Sequence, residues 1–158
     1  MRVKALADRI NNEMADKNPL LLAMLNGSFV FAADLMREIT VPAEISFVKM
    51  SSYAGTSSTG KVKQLIGLND DIKGRTIIIV EDIIESGLTM KAILAQLAEK
   101  QPEAIHICTL LLKPDCLETE LDIRYTAFEI PNDFIVGYGL DYDQQGRNLK
   151  DIYTVVEE

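Results

Sequence analysis

Three apolar runs, at residues 20–25, 77–80 and 104–112, limit most strongly what this chain can fold into. Each run has the length of a β-strand, and none shows the strict polar–apolar alternation of a strand with one face in water. Strands of this kind are buried on both faces, which is typical of a parallel sheet covered by helices. The runs therefore predict a central parallel sheet in the interior of the protein.

Segments with helical spacing of apolar residues separate these runs. Helices are predicted at residues 3–14, 29–38 and 89–100. Strands are predicted at residues 20–25, 43–50, 62–68, 76–81, 104–112, 125–129 and 135–138. Alternating strands and helices predict an α/β fold, with a central parallel sheet flanked by helices. Because we see no internal repeat and no linker, we expect residues 1–158 to form a single domain.

The distribution of charge restricts the partners. The chain has 24 acidic and 16 basic residues, and residues 115–158 hold the whole excess, with 11 acidic and three basic residues. A net charge of −8 argues against nucleic acid as a partner, because binding to its phosphates requires clustered Lys and Arg. The simplest interpretation of the acidic stretch is a solvated surface that aids solubility.

The chain contains one histidine, His106, and two cysteines, Cys108 and Cys116. This count excludes multi-histidine metal sites and four-cysteine zinc sites. No apolar run approaches the roughly 18 residues needed to cross a bilayer, and no signal-peptide core follows Met1. We therefore expect a cytoplasmic protein with reduced thiols and no membrane partner.

Residues 80–89 carry the strongest chemical signal. A buried strand brings two adjacent carboxylates, Glu81 and Asp82, to the edge of the sheet where ligands of α/β proteins bind. A short loop then enters a helix at Gly87, where free backbone N–H groups and nearby hydroxyls suit a phosphate monoester. The carboxylates would repel that phosphate unless they faced ribose hydroxyls or a divalent cation. The residues predict a sugar phosphate with Mg²⁺; the alternative is a capped helix whose acidic residues are simply solvated.

This stretch resembles the phosphoribosyl pyrophosphate (PRPP) motif of the type I phosphoribosyltransferases, and its form is most similar to that of the hypoxanthine (hypoxanthine-guanine) phosphoribosyltransferases. The segments that carry the resemblance are residues 25–28, 51–53, 80–89, 111–114, 130–138, 141–142 and 147. It implies the type I phosphoribosyltransferase fold with a small hood and a mobile loop. It also implies purine salvage, in which hypoxanthine or guanine reacts with PRPP to give IMP or GMP and pyrophosphate, with Mg²⁺ as cofactor.

The resemblance implies a role for each motif of the PRPP site. Glu81 and Asp82 hold the ribose hydroxyls, directly or through Mg²⁺, and residues 85–89 wrap the 5′-phosphate. The turn after a cis peptide between residues 25 and 26 holds the pyrophosphate by its backbone. Ser52 and Tyr53 lie on the mobile loop that keeps water from the reacting centre. The residues implied to bind PRPP or the nucleotide are Asn26, Gly27, Ser52, Tyr53, Glu81, Asp82, Ile83, Ile84, Ser86, Gly87, Leu88, Thr89 and Arg147.

The purine and the second metal have their own implied residues. Lys113 donates to the 6-oxo group of the purine, where an adenine amino group would be rejected, while Phe134 stacks on the base. The backbone of Ile135 reads the purine edge, with Asp133 beside it. The implied metal ligands are Glu81, Asp82 and Asp141. Taken singly, the alternatives are a surface charge for Lys113, a core residue for Phe134 and a turn residue for Asp141.

Two positions depart from the family pattern. Glu85, implied to handle the purine proton as the catalytic carboxylate, stands where relatives have Asp, and Asn26 stands where they commonly have Lys or Arg. These departures leave one alternative to an active enzyme, a catalytically weakened regulator that binds nucleotide. An enzyme that prefers xanthine or guanine is a second alternative, because that preference depends on the backbone at residues 133–135 and near Asp141. The substrates are in each case small molecules, and the resemblance implies a homodimer or a homotetramer.

Overall fold

The computed structural model describes residues 2–54, 61–68 and 71–156. Its main sheet has six strands in the order β3-β2-β1-β4-β5-β6. All neighbouring strands are parallel except β3, which pairs antiparallel with β2. The bounds are β1 Leu20–Met24, β2 Glu44–Ala54, β3 Lys61–Ile66, β4 Thr76–Ile84, β5 Ala104–Leu112 and β6 Tyr125–Glu129. The α/β fold and its central parallel sheet are confirmed.

Helices cover both faces of this sheet. They are α1 Arg2–Glu13, α2 Phe29–Glu38 and α3 Leu88–Ala98, with a 3₁₀ turn at Pro114–Cys116. Leu21 and Ile78 pack in one apolar cluster with residues of α1 and α2. Their strand neighbours Leu20 and Ile77 pack in a second cluster with residues of α3. Because successive side chains of a strand point to opposite faces, a strand covered on both faces needs apolar residues on both, which explains the apolar runs.

The predicted loop at residues 51–60 is partly wrong. Residues 51–54 are strand: β2 continues to Ala54 and pairs along its length with β3, from Lys49 opposite Ile66 to Ala54 opposite Lys61. Ser52 and Tyr53 therefore lie on a strand. Antiparallel pairing satisfies the backbone N–H and C=O groups of residues 51–54. This segment can therefore be a strand without an apolar sequence pattern. Residues 55–60 of the predicted mobile loop lie outside the described residues.

A small second sheet lies outside the main one. Its strands are β7 Ile135–Val136 and β8 Tyr153–Thr154, which pair antiparallel. The prediction of a strand at residues 135–138 is too long, because the backbone at residues 137–139 takes positive φ angles. Strand β8 was not predicted, since a two-residue strand carries no recognisable period.

The helices and the cysteines bear on two of the expectations. The described parts of the chain contain no helix long and apolar enough to cross a membrane. Both cysteines are free thiols. Cys108 is buried in β5, and burial raises the pKa of its thiol to about 12, so the thiol stays protonated and unreactive.

The only histidine makes the stability depend on pH. Nδ1 of His106 lies 3.5 Å from Nη1 of Arg124, and burial and this positive charge lower the pKa of His106 from its usual 6.5. The unfolded chain therefore gains its proton at a higher pH than the folded protein. It follows that the free energy of unfolding falls as the pH is lowered from above 6.5 through the folded-state pKa.

We predict that His106→Gln makes the free energy of unfolding less dependent on pH in this window, because the substituted side chain does not titrate. Urea unfolding of both proteins at several pH values between about 5 and 7.5 measures the effect. An equally steep decline in the two proteins would show that His106 does not contribute.

Candidate active site

The candidate site forms where β1 and β4 end side by side. The turn after β1 lies against β4 so closely that a Cβ on Gly27 would overlap Oδ2 of Asp82. A larger residue at position 27 would require the Asp82 side chain to move. The Leu25–Asn26 peptide is cis, as the resemblance implied. The turn of residues 25–28 and the acidic end of β4 are therefore parts of one site.

The acidic end of β4 carries two adjacent carboxylates, and Asp82 lies against this turn. Glu81 and Asp82 are half-buried, and the Asp82 N–H donates to Oε1 of Glu81 at 3.1 Å. Burial and the neighbouring Asp82 carboxylate raise the pKa of Glu81 well above its usual value. β4 continues through both residues to Ile84, beyond the predicted strand end, so the carboxylates are held on a strand and not on a loop.

The donor set fits Mg²⁺. In proteins this ion is commonly held by one or two carboxylates together with water and substrate phosphates. Within residues 2–54, 61–68 and 71–156, no group of three or more His, Cys, Asp or Glu side chains is placed to hold a metal. Two carboxylates at a strand end therefore match an ion that takes its remaining oxygen ligands from water and substrate.

The segment after β4 forms a small cradle. Gly87 has φ +82° and precedes α3, and the cradle encloses a cavity of about 150 Å³. The Ser86 Oγ accepts a hydrogen bond from the Leu88 N–H at 3.3 Å, and the Ser86 carbonyl accepts one from the Glu118 N–H at 2.9 Å. The residues that line the cavity include Glu81, Ile83, Ile84, Glu85, Ser86, Gly87 and Thr89. A phosphate-sized space at a helix start agrees with the sequence prediction.

A buried lysine lies beside this cradle. Lys113 follows β5, and its Nζ is 2.8 Å from Oε2 of Glu85 and 3.3 Å from Oδ1 of Asn132. The Lys113 side chain is only 5% exposed, whereas Glu85 is 55% exposed. The alternative of a surface charge at Lys113 is therefore wrong. The sequence does not reveal Asn132 as a partner of Lys113, because only the fold brings residues 85, 113 and 132 together.

Phe134 stands at the edge of the same region. Its side chain is 75% exposed, so it is not a core residue and its ring is open to a ligand. Asp133 is also exposed, and Ile135 is half-buried in β7. These residues remain purine-binding candidates, with Phe134 offering the largest open aromatic surface.

Asp141 and Arg147 lie together on one loop. Nη2 of Arg147 is 3.5 Å from Oδ1 of Asp141, and Nη1 of Arg147 donates to the Gly139 carbonyl at 2.9 Å. The Asp141 Oδ2 accepts a hydrogen bond from the Gln144 N–H at 2.9 Å, so Asp141 also has the contact of a turn residue. A Cβ on Gly139 would lie 2.6 Å from the Gly27 carbonyl oxygen, which places this loop against the turn after β1.

A larger cavity, of about 1210 Å³, lies between α1, α2 and residues 144–152. Among the described residues that line it, Arg147 is the one predicted site residue. The cavity borders the candidate site but does not contain the carboxylates, the cradle or Lys113.

The parallel sheet, the paired carboxylates at a strand end and the phosphate-sized cradle together define a protein that binds a phosphorylated sugar or nucleotide at the carboxyl edge of its sheet. The chain belongs to the family described as the phosphoribosyl transferase domain, whose model matches residues 1–143.

Similar proteins have been characterised in several bacteria. The chain is 42% identical to the hypoxanthine-guanine phosphoribosyltransferase of Mycobacterium tuberculosis strain H37Rv, over 98% of this chain and 80% of that protein. It is 45% identical to the hypoxanthine phosphoribosyltransferase of Buchnera aphidicola, over 99% and 90% of the two chains. The crystal structure of a hypoxanthine-guanine phosphoribosyltransferase from Bacillus anthracis superposes with a TM-score of 0.87 at 40% identity, over 98% and 92% of the two chains.

The cradle depends on the glycine at its centre. At Gly87, φ is +82° and a Cβ would lie 2.9 Å from Cδ1 of Leu121; at Gly74, φ is +73° and a Cβ would meet no atom within 4 Å. Gly74→Ala is therefore a matched control, because both substitutions cost the left-handed strain of about 1–2 kcal/mol and only Gly87→Ala adds crowding.

We predict that Gly87→Ala lowers the free energy of unfolding more than Gly74→Ala does. It should also reduce the rise in melting temperature that added inorganic phosphate produces, since the left-handed backbone at the centre of the cradle is strained and the Leu121 side chain beside it must move. Urea unfolding and thermal melts with and without phosphate measure both effects. Equal losses in the two variants would contradict the crowding at Gly87.

Proposed function

We propose that this protein is a purine salvage enzyme that transfers the phosphoribosyl group of PRPP to hypoxanthine, and to guanine, with release of pyrophosphate. The observation that carries the proposal is the contact of buried Lys113 with Glu85 beside the phosphate cradle. This contact supports the proposal because it brings together an ammonium, which can donate to a purine oxygen, and a carboxylate, which can accept a purine proton. Relatives named for this activity, which are similar to the chain over nearly its full length, support the proposal.

The PRPP end of the site uses backbone groups and carboxylates. In this proposal the cradle, Ser86 to Thr89, holds the 5′-phosphate through N–H groups and hydroxyls, the Leu88 N–H among them, while Ile83 and Ile84 line its cavity. Glu81 and Asp82 bind the ribose hydroxyls, directly or through Mg²⁺. The turn at Asn26 and Gly27 holds the pyrophosphate by its backbone. Ser52 and Tyr53, on β2, also contact PRPP.

Mg²⁺ would be held by Glu81 and Asp82 at one position and by Asp141 at a second. When bound, it neutralises part of the negative charge of the phosphates. Arg147, 3.5 Å from Asp141, would add a positive charge to the pyrophosphate end of the site. Mg²⁺ and the Arg147 guanidinium would together offset the negative charge of the neighbouring carboxylates.

The purine end reads the base through three contacts. The Lys113 ammonium donates to the 6-oxo group, the exposed Phe134 ring stacks on the base, and the Ile135 backbone reads its edge with Asp133 nearby. An ammonium can only donate, so it has no acceptor for the amino group of adenine. This chemistry selects 6-oxopurines.

The residues act on charge that develops during the transfer. As pyrophosphate leaves C1′, positive charge builds on the ribose and negative charge on the leaving group. Fixed backbone N–H groups of the 26–27 turn and the Arg147 guanidinium stabilise the negative charge without having to reorganise. The purine N9 forms the new bond to C1′, and Glu85 accepts the proton that the purine loses near N7.

Three further features belong to the proposal. We infer that residues 1–158 act as one domain and that the protein is cytoplasmic. We also infer a homodimer or a homotetramer, which sedimentation or light scattering would establish. All partners in the reaction are small molecules.

The alternative is a catalytically weakened protein that binds nucleotide as a regulator. Glu85 and Asn26 favour it, because one extra methylene or one lost positive charge at a reacting centre can reduce the rate strongly. The short contact between Glu85 and Lys113 counts against it, since the longer side chain still reaches the purine side of the site.

We predict PRPP-dependent formation of IMP from hypoxanthine and of GMP from guanine, with no product from adenine. Xanthine, assayed in the same way, reveals whether the enzyme prefers it. The measurement is nucleotide formation in the presence of Mg²⁺, with EDTA as the control that removes the metal. Absence of product with all three 6-oxopurines would favour the regulator.

We predict that Glu85→Gln lowers kcat by roughly 10²- to 10⁴-fold, because the amide cannot accept the purine proton. Glu85→Asp should keep or improve turnover, since it retains the acid. Steady-state kinetics of both variants with hypoxanthine gives the answer, and thermal melts verify that both are folded. Equal rates for the two variants would exclude the role of Glu85 in proton transfer.

A further inference from the structure

The loop that carries Asp141 and Arg147 begins with an unusual turn. Residues 137, 138 and 139 have φ angles of +104°, +50° and +96°. Glycine takes such angles freely, but the middle residue is Tyr138, whose Cβ disfavours the left-handed conformation. A residue held in this way needs other contacts to keep it there, and such residues cluster at functional sites.

Tyr138 has those contacts on both its backbone and its side chain. Its N–H donates to the Leu149 carbonyl at 2.8 Å. Its hydroxyl donates to Oδ2 of Asp34 at 2.5 Å, and both side chains are half-buried. Burial and the Asp34 carboxylate raise the pKa of Tyr138, so the hydroxyl keeps its proton and remains the donor.

Asp34 connects this turn to the other side of the pyrophosphate end. It lies on α2, which starts directly after the turn of residues 25–28. The Ala32 N–H donates to the Ser28 carbonyl at 2.7 Å, so the first turn of α2 is hydrogen-bonded to that segment. The helix therefore fixes the distance between Asp34 and the turn.

The two segments also touch directly. A Cβ on Gly139 would lie 2.6 Å from the Gly27 carbonyl oxygen, so the contact is as close as glycine permits. The Gly139 carbonyl accepts from Arg147, and the Gly139 N–H donates to the Arg147 carbonyl at 2.9 Å. A shift of the turn at residues 137–139 would therefore move Arg147 relative to Gly27.

We propose that Tyr138 is a positioning residue for the pyrophosphate end of the site: its hydrogen bond to Asp34 holds the loop that bears Asp141 and Arg147 against the turn of Asn26 and Gly27. This inference rests on the proposed function, which assigns Asn26, Gly27 and Arg147 to PRPP and Asp141 to the second Mg²⁺. Tyr138 acts through them and contacts no reacting atom. Loss of the hydrogen bond should weaken the binding of PRPP and pyrophosphate and leave the purine contacts at Lys113 unchanged.

The first test is Tyr138→Phe, which removes the hydroxyl alone. We expect the KM for PRPP and the inhibition constant of Mg-pyrophosphate to rise about 3- to 10-fold, the range for one lost hydrogen bond. The KM for hypoxanthine should change less than twofold. Tyr153→Phe, at an exposed tyrosine of β8, is the matched control and should change neither. If the KM for PRPP and the KM for hypoxanthine rose equally, the role of Tyr138 would be merely structural and the proposal would be overturned.

Asp34 variants give a test that does not depend on the folding of the Tyr138 variant. Asp34→Asn keeps an oxygen acceptor for the hydroxyl and should stay near wild type, whereas Asp34→Leu should reproduce the effect of Tyr138→Phe. The double variant Tyr138→Phe/Asp34→Leu should be no worse than either single variant, because both remove the same bond. Additive effects would show that the two residues act separately and would overturn the proposal.

Arg147→Gln separates this inference from the proposed function. If it raises the KM for PRPP while Tyr138→Phe and Asp34→Leu do not, the pyrophosphate assignment stands and the positioning role of Tyr138 is wrong. If it leaves PRPP and pyrophosphate binding unchanged, the assignment of Arg147 is wrong, and the inference fails with it.

Discussion

Parallel pairing of β1, β4 and β5 is the constraint on which the rest of the structure depends. The register places Ala23 beside Val80 and Val80 beside Cys108, so the three strands end at the same edge. Whatever follows them must meet there: the turn after β1, the carboxylates at the end of β4, and Lys113 after β5. The Lys113 N–H also donates to the Ile84 carbonyl at 3.0 Å, which joins the last two segments.

Ion pairs within the site compensate part of its charge. Lys113 pairs with Glu85 and Arg147 with Asp141, whereas Asp82 lies against Gly27 in the turn after β1. The whole chain carries a net charge of −8, yet the site proposed here binds a heavily phosphorylated sugar. Backbone N–H groups make this possible, because they attract phosphate without adding to the net charge of the surface.

Prediction succeeded where a local pattern carries the information. The bounds of α2, β5 and β6 agree with the sequence prediction, since continuous apolar runs and helical spacing mark them. It failed where pairing alone defines the structure: residues 51–54 belong to β2 and residues 153–154 form β8, although neither segment has an apolar sequence pattern. Hydrogen bonds between distant backbone segments stabilise such strands, and a local window cannot reveal them.

The order of residues alone determined the fold class, the phosphate cradle and the identity of the acidic pair, because each of these depends on neighbours in the chain. The contacts of Lys113 with Glu85 and Asn132, and of Tyr138 with Asp34, were decided by the tertiary structure. These partners are 19 to 104 residues apart in the chain. Their meeting depends on how strands are ordered in the sheet and on where the loops beyond its edge pack, and no short-range pattern encodes that order.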